Sequence, residues 1–146
     1  MKYVSVIITF LTMCTILSCK EEILLVSAVK EITIPGRPNQ DQFVQYKIQF
    51  EVTKDDQNIK IEDIAFPQLD IKKEKLRFDI MDLSSNLIVS NIIKKGEYLL
   101  NIKPDSEFQN QMITAKKDEI IVSIVKNNRI EQIKISSFVE KTKRIR

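Results

Sequence analysis

Phe43-Val44-Gln45-Tyr46-Lys47-Ile48-Gln49-Phe50-Glu51-Val52-Thr53 decides the fold of this chain. Val44, Tyr46, Ile48, Phe50 and Val52 alternate with Gln45, Lys47, Gln49 and Glu51, and a period of two is what a strand with one buried and one wet face requires. Lys75 to Met81 repeats the pattern, with Leu76, Phe78 and Ile80 inward against Arg77 and Asp79. Shorter alternations follow at Ile59 and Ile61 and at Tyr98, Leu100 and Ile102. Composition agrees. Ile occurs 24 times and Ala three times, so β-branched side chains abound and the best helix former is scarce. Glu22 to Ile34 carries Ile23, Val26, Val29, Ile32, Thr33 and Ile34 and stops at Pro35-Gly36, which predicts a strand, with a short helix as the alternative.

Turns stand where such strands need them, at 35–39, 54–58, 84–86 and 94–97, each polar or bearing Gly or Pro. One helical turn is expected from Ser106 to Gln111 after Pro104-Asp105. The C-terminal hairpin can be counted to its register. Asn127-Asn128 suits a two-residue type I′ loop, because Asn tolerates the positive φ needed at both positions. Val125 then faces Ile130, Ile124 faces Glu131, Val122 faces Ile133, Ile121 faces Lys134 and Ile120 faces Ile135. One face of the hairpin is core: Ile120, Val122, Ile124, Ile133 and Ile135. The other mixes Ile121, Val125 and Ile130 with Ser123, Gln132 and Lys134: either a neighbouring loop or the first strand covers it in part, or its apolar centre and polar border make it a candidate protein interface. The expected fold is all-β, a small antiparallel β-sandwich, and the order strand, polar turn, strand, Gly, aromatic strand from Leu76 to Ile102 resembles immunoglobulin-like extracellular sandwiches.

The N-terminus carries a different message. Met1-Lys2, the apolar run Tyr3 to Leu17 and the closing Ile16-Leu17-Ser18-Cys19 resemble the signal peptide of bacterial lipoproteins, the run being shorter than the ~20 residues of a spanning helix. Lys20-Glu21-Glu22 resembles the surface-export signal of Bacteroidota lipoproteins; the alternative is a plain polar spacer, with the domain facing the periplasm. The resemblance implies that residues 1–18 are removed, that Cys19 is lipidated (palmitate among its acyl chains), and that the protein is anchored in the bacterial outer membrane by lipid. Residues 19–22 form the tether, 23–139 one domain and 140–146 a basic tail.

Cleavage also removes Cys14, and lipidation uses Cys19, so the mature chain is expected to hold neither free thiol nor disulfide, and it has no histidine. Cys/His metal sites, thiol nucleophiles and histidine acid–base chemistry are then unavailable. Gly36 and Gly96, the two glycines, do not make a phosphate-cradling loop, and Asp55-Asp56 with Asn58 lacks the spacing of a calcium loop. Asp79 and Asp82, three apart on a strand, point to opposite faces and make a poor glycosidase pair. Loss of Lys2 takes 23 basic side chains to 22 against 20 acidic, a net charge of +2 that offers no field for nucleic acid. The expected function is therefore non-catalytic: no enzyme, no cofactor and no metal, but an envelope lipoprotein that binds or scaffolds another protein. The alternatives are an outer-membrane subunit of a secretion machine such as the type VI system, or a module that binds glycan or peptide. Glycan is the weaker of these, since Trp is absent and Tyr46 and Tyr98 fall on core faces.

Overall fold

The computed structural model describes residues 22–55, 58–69, 76–92 and 94–145. Cys19, Lys20, Glu21 and the signal segment lie outside the described residues. Nine strands follow in chain order: β1 (Ile23–Ile34), β2 (Phe43–Val52), β3 (Ile59–Ala65), β4 (Leu76–Asp82), β5 (Leu87–Val89), β6 (Gly96–Pro104), β7 (Ile120–Lys126), β8 (Arg129–Ile135) and β9 (Val139–Arg144). A 3₁₀ turn at Ser106–Phe108 runs into a short helix α1 (Gln109–Thr114), so the expected helical turn is present and extends one residue triplet further.

The strands build two sheets, one of six strands in the order β5-β4-β6-β2-β1-β9 and one of three in the order β3-β7-β8. All pairings are antiparallel except β1 with β9, and the fold is an all-β sandwich. The stretch that opened the sequence reading is the middle of the large sheet: β2 pairs with β1 on one side and β6 on the other, burying Val44, Tyr46, Ile48, Phe50 and Val52. Leu76 and Ile80 of β4 and Tyr98, Leu100 and Ile102 of β6 extend that surface, while Phe78 is only partly buried against it. From the small sheet Ile59, Ile61, Ile64, Ile120, Val122, Ile124 and Ile135 close the core.

The hairpin register is the one counted from the sequence, residue for residue from Ile120↔Ile135 to Val125↔Ile130. Its turn has Asn127 and Asn128 both at positive φ, 47° and 61°. Two irregularities were not legible. A bulge at Glu62 keeps Ile61 and Ile64 on the same buried side of β3, and a bulge at Val26 in β1 switches parity, so that Ile23 and Leu25 share the inner face with Ala28, Lys30 and Ile32. α1 lies against β2, with Met112 buried and the Gln109 side-chain oxygen accepting from the Val44 N–H at 2.6 Å.

Residues 140–144, expected as part of a basic tail, belong instead to strand β9, which pairs in parallel with Val29–Ile34. Every side chain of β9 is exposed, so the strand leaves no hydrophobic alternation to read; main-chain hydrogen bonding to the edge of β1 holds it.

Candidate binding cleft

β8 and β9 run in succession along one side of the sandwich but pair in different sheets. β8 pairs with β7 of the small sheet; after Ser136-Ser137-Phe138 the chain crosses over and β9 pairs with β1 of the large one. The crossing closes only half of that side. β9 covers the edge of β1 from Val29 onward, and among the described residues no strand pairs with the edge of Ile23–Ala28.

Over that open half the sheets part around a cavity of about 830 Å³. Ile48, Phe50 and Leu100 line it from the large sheet, and Ile61, Val122 and Ile124 from the small one. Its mouth lies between the two free edges: Ile23 and Leu25 of β1 on one side, and consecutive residues Glu131 to Ile135 of β8 on the other. Leu25 and Val26 are about half exposed, at 51% and 52%. Ile133, expected as core, is only partly buried because it faces this opening. A volume of this size is in the range of sites that hold small ligands or the side chains of a bound segment, and apolar walls with few polar groups are typical of them.

One end of the mouth is charged. The Glu22 carboxylate pairs with Lys54 at 2.9 Å and with Lys126, whose ammonium is 3.9 Å from Glu131. Glu22, the last residue of the expected export triplet, is thus engaged by the folded domain.

The other candidate surface is the outer face of the hairpin. Ile121, Val125 and Ile130 do share it, with Ile130 70% exposed and the other two half-buried among neighbours on their own sheet. β3 contributes Lys60 and Asp63 beside Val125 and Ser123, a polar addition that narrows the apolar centre, and Ala65 beside Ile121. Asp79 and Asp82 are used separately: Asp79 accepts from the Asn101 amide at 2.9 Å, and Asp82 accepts from the Ser84 N–H and hydroxyl, which hold its carboxyl below the usual range.

At the closed half of β1 the sequence reading missed a polar cluster inside the core. Lys30 is 1% exposed, and its ammonium lies 3.0 Å from Asp118 Oδ2. The Tyr46 hydroxyl donates to Asp118 Oδ1 at 2.8 Å, and burial together with that carboxylate pushes the phenol pKa far above its ordinary value. The available signal was a lysine at an inward position of a β-branched strand, but the bulge at Val26 hid the parity that makes it inward.

No family model matches the chain, and no curated protein or solved structure matches it either.

Proposed function

We propose that this chain is a non-catalytic, lipid-anchored envelope protein that binds another protein by accepting an extended segment along the free edge of β1, over the inter-sheet cleft. The observation that carries the reading is the coincidence of an edge at Ile23–Ala28 that no strand among the described residues pairs with and an apolar cavity immediately behind it. An added strand would pair its main chain with that edge and bury alternate side chains in the cleft, so affinity comes from the ladder and selectivity from the pocket. An edge left bare in water invites aggregation; the bulge at Val26 twists this one and limits indiscriminate pairing.

Lipid at Cys19 supplies the address. With Glu22 held by Lys54 and Lys126, two residues remain between Cys19 and the domain, a tether of roughly 7 Å. The cleft then sits close to the bilayer, where a neighbouring envelope protein can reach it.

Two measurements test the reading. Cys19→Ala is expected to abolish palmitate labelling; equal labelling of variant and wild type rejects the anchor. A photo-crosslinking residue at Leu25 in intact cells is expected to give one discrete protein adduct, absent when Leu25 is replaced by Arg at unchanged stability. Adducts formed from position 130 and not from 25 would move the interface to the outer face of the hairpin.

A further inference from the structure

One ion pair of this molecule is buried inside the core. Lys30 on β1 and Asp118, just before β7, come from different sheets and meet among aromatic rings: Tyr46 is fully buried, with Phe66 and Phe138 at ring distances of 5.2 and 5.4 Å. The Asp118 side chain is 8% exposed. Removing two charges from water costs several kcal/mol per ion. The fold meets that cost by holding the two groups in direct contact, and an amine held against a carboxyl group is the arrangement from which an amide can form.

We propose that Lys30 and Asp118 condense to an intramolecular isopeptide bond. The Lys30 ammonium passes a proton to Oδ2 across their 3.0 Å contact, the freed nitrogen attacks Cγ of Asp118, an N–C bond forms, and the bond from Cγ to Oδ2 breaks. Of the three hydrogens on the starting ammonium, one stays on the amide nitrogen and two leave with Oδ2 as water, so no oxidant, cofactor or external proton is needed. Oδ1 becomes the amide oxygen. It carries the negative charge of the tetrahedral intermediate, and the Tyr46 hydroxyl already donates to it at 2.8 Å, the position from which a donor stabilises that charge. The same burial that raises the phenol's pKa keeps it protonated for this role. The amine is in hydrogen-bond contact with the carboxyl group it attacks, and its second partner, the Ala115 carbonyl at 3.4 Å, holds it there. Exclusion of water from the site favours the condensed product.

Such a bond would tie β1, the strand that follows the N-terminal segment, to the start of β7 in the opposite sheet. Intact mass of the purified protein under denaturing conditions tests it without any assumption about lipid or partner. The wild-type chain is expected to weigh one water less than its sequence requires, and fragmentation should find the peptides containing Lys30 and Asp118 joined. Lys30→Arg and Asp118→Ala should restore the full mass. Tyr46→Phe should lower the linked fraction at a given time after synthesis. A wild-type chain of full mass after prolonged incubation, or a deficit that survives Lys30→Arg, overturns the proposal and leaves an ordinary buried ion pair.

Discussion

The two halves of β1 belong to one continuous strand and share β2 as a neighbour, yet they live in different surroundings. From Val29 to Thr33 the strand is flanked on both sides, by β2 and β9, and its inward Lys30 is locked to Asp118. From Ile23 to Ala28 it has β2 alone among the described residues, and its inward Ile23 and Leu25 look into the cleft. The difference arises outside β1, from the point at which the β8–β9 segment changes sheet. Sealing is a property of the partner strand.

Hydrogen exchange should give the largest contrast. Alternate amides of β1 point away from β2. In the closed half these are bonded to β9 and should approach the protection of global unfolding, whereas those of Ile23–Ala28 should exchange with little protection. Uniform protection along β1 would mean that something already covers the open edge.

Stability should differ by half as well. Asp118→Ala strands the Lys30 charge in the core and is expected to cost about 3–5 kcal/mol, read from the denaturant midpoint. Leu25→Ala, at a half-exposed position, should cost only about 1 kcal/mol. Equal costs would erase the distinction. Enlarging a side chain sharpens it. Ile120→Phe is expected to lose about 1–3 kcal/mol by overpacking a fully buried site, while Ile133→Phe can extend into the cavity and should be close to neutral.

The smallest effect is electrostatic and lies on the wet face of the closed half. Partial burial pushes the Glu31 carboxyl up, but hydrogen bonds from Lys47 and Gln45 and the charges of Lys47 and Lys143 outweigh it and hold the pKa below its ordinary 4.5. A carboxylate whose pKa falls on folding contributes stability above its unfolded pKa and loses it as pH falls through the folded value. Glu31→Gln should therefore flatten the acid limb of stability below pH 4.5 by less than about 1 kcal/mol. An unchanged acid limb would show that Lys47 and Gln45 do not hold this carboxylate in solution.

Much of the sandwich was legible along the chain. Val44 to Val52 declared a central strand through its period of two, and Asn127-Asn128 declared a tight hairpin because few residues accept positive φ twice in succession. From that turn the register of β7 and β8 follows by counting outward. Ile121, Val125 and Ile130 were placed on one face correctly for the same reason, although the polar residues that β3 lays beside them came from a strand distant in sequence. β9 was not legible, since its six exposed side chains carry no burial signal.

Local rules, periodicity and turn geometry, need only neighbours in the chain, and they determined the central strands and the C-terminal hairpin. The order of strands in the sheets, the crossing of β8 into β9, the open edge of β1 and the meeting of Lys30, Tyr46 and Asp118 depend on which distant faces bury one another. Those choices minimise exposed apolar surface over the whole molecule, and a bulge of one residue at Val26 is enough to reverse which side chains of a strand take part.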